Sequence, residues 1–189
     1  MIALIDNYDS FTFNIYDYLM KFADIRVFRN TDSIDGLKDL KPRGIVISPG
    51  PSHPASSLLS LDAITHFKGK VPILGICLGM QAIAYESGST VRKARRIMHG
   101  KVDTLDNSGG ALFKGIGKTF PAVRYHSLAV ENDKGRFRVC AVSQSDSEIM
   151  AIEDTDLKLF GLQFHPESYA THHGITFIEN FVGVCNGNA

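Results

Sequence analysis

Val71-Pro72-Ile73-Leu74-Gly75-Ile76-Cys77-Leu78-Gly79-Met80-Gln81 runs from an apolar stretch straight into an Ala-rich helical one. Ile73–Gly75 reads as a buried strand, and Leu78–Ser87 as the helix that follows it, ending at Gly88. A cysteine between two glycines on such a turn is lifted out of the sheet. Small residues on either side permit the tight, strained backbone that an elbow requires. Amide groups of the helix N-terminus then favour a thiolate over a thiol. This one segment predicts an α/β sheet with an activated sulfur at its edge.

The same alternation extends toward the N-terminus. Ile2–Ile5 reads as a buried strand, and Phe11–Phe22 carries Ile15, Tyr18, Leu19 and Phe22 along one helix face. Ile25–Phe28 and Gly44–Ile47 read as strands, Ser33–Leu40 and Leu58–Phe67 as helices. Ser48-Pro49-Gly50-Pro51-Ser52-His53-Pro54 contains three prolines and cannot continue regular structure. Strands alternating with helices predict a doubly wound, mostly parallel central sheet with helices on both faces.

Beyond Gly88 the pattern changes. Val102–Leu105, Thr119–Tyr125, Phe137–Val142, Glu148–Glu153 and Leu159–Gln163 are strand-like and separated by turn clusters. They predict an antiparallel strand region in the second half, closed by a helix near Thr176–Val184. No repeat or linker divides residues 1–189, which read as a single domain with a frayed tail over Asn186–Ala189.

Composition narrows the function classes. The chain has 189 residues, 44% of them hydrophobic, enough for a sizeable core. Lys+Arg and Asp+Glu are 20 each, so no net charge argues for nucleic acid or an acidic membrane surface as partner. No apolar run approaches the roughly 20 residues of a membrane span. The opening Met1-Ile2-Ala3-Leu4-Ile5-Asp6 reads as a first strand rather than a signal peptide. Cys77, Cys140 and Cys185 lack CxxC spacing, which favours a reducing, cytoplasmic setting over a disulfide framework or a zinc site.

A partner for the sulfur lies near the other end, in Gly161-Leu162-Gln163-Phe164-His165-Pro166-Glu167. Residues two apart on an extended chain point to the same side, and Pro166 biases His165 toward extended angles. His165 and Glu167 are therefore presented together, the imidazole to take the Cys77 proton and the carboxylate to fix its tautomer. An alternative makes Glu167 a cap and His165 a satisfied core histidine; the residues themselves leave both standing. Gln81, four residues after Cys77, shares its helix face, as a substrate-orienting amide or as an ordinary helix residue. Gly50, between two prolines, and Leu78, first in its helix, could aim backbone amides at an oxyanion; the Pro-Gly-Pro stretch reads equally as a rigid turn. Two further matches fail. Gly115-Ile116-Gly117-Lys118-Thr119 ends like a phosphate loop but has Leu112 at the first glycine's place, and the neighbours His172 and His173 are poorly placed to share a metal.

Gly-Ile-Cys-Leu-Gly-Met-Gln, Gln-Phe-His-Pro-Glu-Ser and Ser-Pro-Gly-Pro together resemble the signatures of the class I glutamine amidotransferases of the Cys-His-Glu triad type. Asp6-Asn7-Tyr8-Asp9-Ser10-Phe11-Thr12, Met98-His99-Gly100-Lys101 and Tyr125-His126-Ser127-Leu128 resemble the small subunits of anthranilate or aminodeoxychorismate synthase. The resemblance implies Cys77 as nucleophile, His165 as base and then acid, and Glu167 as its orienter. It also implies Gly50 and Leu78 amides as the oxyanion hole, and Gln81, Ser127 and Leu128 as contacts to glutamine. It implies no metal or organic cofactor. The implied partner is a larger chorismate-using synthase subunit that takes the ammonia, with Asn7–Thr12, Ser52–Pro54 and the His99 region in contact. A non-catalytic, partner-binding homologue and other amidotransferase-like enzymes are the competing readings.

Overall fold

The computed structural model describes residues 1–187; Asn188 and Ala189, part of the expected frayed tail, lie outside the described residues. The first half forms β1 (Ile2–Asp6), α1 (Thr12–Leu19), β2 (Ile25–Arg29), α2 (Ile34–Leu40), β3 (Gly44–Ile47), α3 (Leu58–Phe67), β4 (Ile73–Ile76) and α4 (Leu78–Glu86). The second half adds β5 (Val91–Lys93), β6 (Lys101–Asn107), β7 (Thr119–Arg124), β8 (Leu128–Val130), β9 (Arg138–Ser143), β10 (Ile149–Asp154), β11 (Leu159–Leu162) and α5 (Gly174–Cys185).

One nine-stranded sheet has the order β2-β1-β3-β4-β11-β10-β9-β6-β7. Strands β2, β1, β3, β4 and β11 are mutually parallel. From β11 onward each neighbour is antiparallel. The strand at Leu159–Leu162, expected within the antiparallel half, joins the parallel set because it pairs with β4 from Leu159↔Ile73 to Leu162↔Ile76. Strands β5 and β8, with no strand signal in the sequence, pair in a separate two-stranded ribbon. Helix α1 stops at Leu19, short of the expected Phe22, because a turn closes over Met20 and Lys21 before β2.

Alternation along the strands divides the core into two layers. Ile2 and Leu4 face the layer closed by Ile15 and Leu19 of α1 and by Phe177 and Phe181 of α5. Ala3 and Ile5 face the layer closed by Leu37 of α2, Leu59 and Ile64 of α3, and Ile83 of α4. Both faces of the parallel strands are thus covered by helices. What remains accessible is the end of the sheet where β1, β3, β4 and β11 finish, the edge at which ligands bind in open α/β sheets.

Candidate active site

Each strand ending at that edge contributes one segment. After β4, Cys77 sits at φ 52° and ψ −103°, a strained conformation for a residue with a side chain. The strain is held by close packing on both sides. A Cβ on Gly75 would lie 2.3 Å from the Gly79 carbonyl carbon, and one on Gly79 would lie 2.4 Å from the Ile47 oxygen. The Cys77 N–H donates to Leu162 O at 2.7 Å, so β11 braces the elbow directly. Leu78 opens α4, and its N–H is among the helix-terminal donors with no acceptor inside the helix.

After β11, His165 is clamped through its backbone. Its N–H donates to Val123 O at 3.0 Å, and its carbonyl accepts from Thr171 Oγ1 at 2.6 Å. Its Nδ1 meets Glu167 Oε1 at 2.6 Å, and both side chains are buried. The opposite ring nitrogen, Nε2, is buried without a hydrogen-bond partner, as is Glu167 Oε2. Burial alone would depress the His165 pKa. The Glu167 carboxylate, and then the Cys77 sulfur beside the ring, carry it well above 6.5. Phe11 and Tyr125 pack against the ring with centroids 5.7 and 5.1 Å away. The imidazole is a proton acceptor aimed at a sulfur, in a site screened from bulk water.

After β3, Pro49-Gly50-Pro51 crosses in front of the elbow. A Cβ on Gly50 would meet Asn7 Cβ and Leu78 Cδ2, both at 2.6 Å, so this close approach admits only glycine. Asn7, at the end of β1, fastens the crossing: its N–H donates to Ser48 Oγ at 2.9 Å and its Nδ2 to Ser48 O at 3.0 Å. Asn7 and Thr12 are buried, and so is Pro54. Expected as surface contacts, these three serve the interior instead; Tyr8, Ser10, Ser52, His53 and His99 are exposed.

Two recesses meet at Cys77, sharing Gly50 and Tyr125. One, of about 210 Å³, is lined by Asp9, Phe11, His99 and His165. The other, of about 170 Å³, is lined by Gln81, His126, Ser127 and Leu128. The structure therefore brings Cys77, His165, Gly50, Gln81, Ser127 and Leu128 to one cleft, with Glu167 behind His165. His172 and His173 lie outside it, exposed before α5. No group of three or more His, Cys, Asp or Glu arranged to hold a metal occurs among the described residues.

Several contributing residues carry no strong sequence signal. Arg124 is 0% exposed and pairs with Asp103, and with Asp146 at 2.8 Å. Its Nε donates to His126 Nε2 at 3.0 Å. A guanidinium only donates, so that ring nitrogen is the acceptor and Nδ1 carries the proton, which it donates to Leu128 O at 2.8 Å. Burial, and then the Arg124 charge, push the His126 pKa down from 6.5 to about 4. The unfolded chain binds this proton near 6.5 and the folded chain only near 4, so stability is full above the window and lost as pH falls through it. The gap corresponds to roughly 3 kcal/mol. Burial opposes ionisation of Asp103 and Asp146, but hydrogen bonds from Ser143 and Arg124 outweigh it, so protonating them adds to the acid loss. Thermal melts are expected to fall steeply between pH 6.5 and 4, with a shallower descent for His126→Asn. Equal slopes for the two proteins would contradict this account.

The family described as Glutamine amidotransferase class-I matches residues 3–184. Aminodeoxychorismate synthase component 2 of Escherichia coli is 45% identical over 96% of this chain and 99% of the relative. Aminodeoxychorismate/anthranilate synthase component 2 of Bacillus subtilis is 44% identical over 96% of this chain and 95% of the relative. Among solved structures, a putative GMP synthase subunit from Thermoplasma acidophilum superposes with a TM-score of 0.88 at 25% identity, covering 98% of this chain and 94% of that one.

Proposed function

This chain belongs to the class-I glutamine amidotransferases, and we propose that Cys77, His165 and Glu167 are its catalytic triad. One observation carries the reading: the strained Cys77 elbow and the unpartnered Nε2 of His165 open on the same cleft. In the reaction, His165 Nε2 takes the thiol proton and the Cys77 sulfur attacks the side-chain amide carbon of glutamine. Gly50 and Leu78 amides receive the negative oxygen. The tetrahedral intermediate collapses as His165 returns the proton to the amide nitrogen, which leaves as ammonia. Water, deprotonated by His165, then cleaves the γ-glutamyl thioester to give glutamate and the free thiol. Glu167 holds the ring and balances the imidazolium charge. Gln81, Ser127 and Leu128 line the recess that holds the substrate's α-amino and α-carboxylate groups.

Residues 1–189 act as one amidotransferase domain in the cytoplasm. No helix among the described residues is long and apolar enough to cross a membrane. The ammonia passes to a chorismate-using synthase subunit, chiefly for anthranilate and so for tryptophan. A second reading, aminodeoxychorismate and so folate, is supported by the Escherichia coli relative's name, and service to both by the Bacillus subtilis name. Tyr8, Phe13, Ile97 and Tyr169 are large, exposed apolar side chains on segments flanking the cleft, a surface suited to a protein partner. The test is capture of the synthase subunit by the tagged chain, followed by identification of the amino product from chorismate and glutamine. Anthranilate supports the first reading and aminodeoxychorismate the second. Capture with no glutamine-dependent product would refute both.

A further inference from the structure

The recess beside Cys77 has walls whose geometry is set from behind. Leu128 O lies between two donors, His126 Nδ1 at 2.8 Å and Gln81 Nε2 at 3.3 Å. Gln81 Nε2 also donates to Gln163 Oε1 at 3.1 Å. With its amide nitrogen engaged by both acceptors, Gln81 has its side-chain oxygen left for whatever enters. His126 lines the recess with one edge of its ring and turns the opposite nitrogen, Nε2, into the ionic cluster. Arg124 occupies its Nε2, and Asp103, Asp146 and Ser143 hold the arginine, with Ser143 Oγ and Ser145 Oγ donating to Asp103 at 2.6 and 2.8 Å. These groups come from β6, β7 and the β9–β10 turn, in the antiparallel part of the sheet. Gly50, Cys77 and His165, on the other side of the cleft, follow strands of the parallel part. His126 is the joint between them.

We propose that His126 is a positioning residue for the glutamine site: locked by Arg124 in the Nδ1–H tautomer, it fixes the Leu128 carbonyl, and through it the Ser127–Leu128 backbone and the Gln81 side chain. The inference rests on the glutamine-hydrolysis reading given above. His126 touches none of the reacting atoms. Its influence falls on how well glutamine is held, not on the sulfur or on His165. The ionic cluster is thereby explained as well. A rigid, fully paired arginine leaves a histidine no alternative tautomer, whereas a solvated one would let the ring flip and withdraw its donor from Leu128.

Two substitutions separate the two ends of the ring. In His126→Asn the amide nitrogen replaces Nδ1 and keeps the donor to Leu128. In His126→Gln the side-chain amide reaches the Nε2 position, still faces Arg124, and leaves Leu128 without its donor. The full chain, with the synthase subunit recovered as above, is assayed for glutamine hydrolysis. Cys77 is also titrated with iodoacetamide and with a glutamine analogue bearing a diazoketone in place of the amide.

His126→Gln is expected to raise KM for glutamine about tenfold, the effect of one lost hydrogen bond, with kcat within about threefold of the parent. His126→Asn is expected to recover most of that loss. Labelling by the diazoketone should slow in His126→Gln while alkylation by iodoacetamide stays at the parent rate. A merely structural role would slow both reagents together, or lower kcat and stability without moving KM, and either result overturns the proposal. So does a His126→Gln protein with parental KM. If the parent itself neither hydrolyses glutamine nor takes the diazoketone at Cys77, the functional reading fails first and this inference falls with it.

Discussion

Cys77→Ser is expected to lower glutamine-dependent synthesis by about 10⁴-fold or more while leaving synthesis from added ammonia near the parent rate. The oxygen is smaller than the sulfur, so the packing of Gly75 and Gly79 around the elbow survives the exchange. What changes is the chemistry. A hydroxyl is a far weaker acid and a poorer nucleophile toward an amide than a thiol, and the single acceptor here is one imidazole already engaged to Glu167. The remaining cysteines cannot substitute. Burial pushes the Cys140 and Cys185 thiols up to about 12, and neither lines the cleft. On the proposed reading, synthesis from ammonia belongs to the partner and needs only a folded, docked subunit. The two assays on one complex therefore divide catalysis from scaffolding. Glutamine turnover at the parent rate would exclude Cys77 as nucleophile. Loss of both activities with an unchanged melting temperature would mean that the elbow serves assembly rather than acyl transfer.

How much of this was legible beforehand depended on whether a residue's partner lay nearby in the chain. Helix α3 occupies the expected Leu58–Phe67 because its apolar spacing and flanking prolines are local. The elbow, and the His165–Glu167 pair across Pro166, are local as well, and the structure brings them together. Strands β5 and β8 gave no signal: each is three residues long, and Val91-Arg92-Lys93 is ordinary surface sequence until Leu128–Val130 pairs with it. The parallel pairing of β11 with β4 was equally hidden. A strand buried on both faces reads the same whichever way its neighbour runs. Arg124 and His126 were unreadable for a physical reason. Asp103 lies in the expected strand Val102–Leu105, whose alternation would bury Val102 and leave Asp103 outside, and Ser143, Ser145 and Asp146 sit where a solvated turn is expected; only the fold turns them inward.

Gly174→Ala carries the second large effect, and it tests how the fold sets the proposed triad. Gly174 opens α5, and a Cβ there would lie 1.8 Å from the carbonyl oxygen of Pro166, between His165 and Glu167. Nothing flexible is available to yield, since the contact is backbone against helix. Either α5 or the His165-Pro166-Glu167 segment must move by about an ångström or more to restore ordinary separation. Displacement of that size costs about 10²-fold in a positioned reaction. Forced overpacking between two backbones costs about 3 kcal/mol, or roughly 10 °C in melting temperature for a chain of this length. Gly183, in the same helix, supplies the control: a Cβ there meets nothing within 4 Å. Gly183→Ala is expected to leave turnover unchanged and to raise stability by about 1 kcal/mol through helix propensity alone. If Gly174→Ala instead matched Gly183→Ala in both stability and turnover, the close approach of α5 would have no part in fixing His165 and Glu167. The clamp on that segment would then rest on Thr171 and Val123.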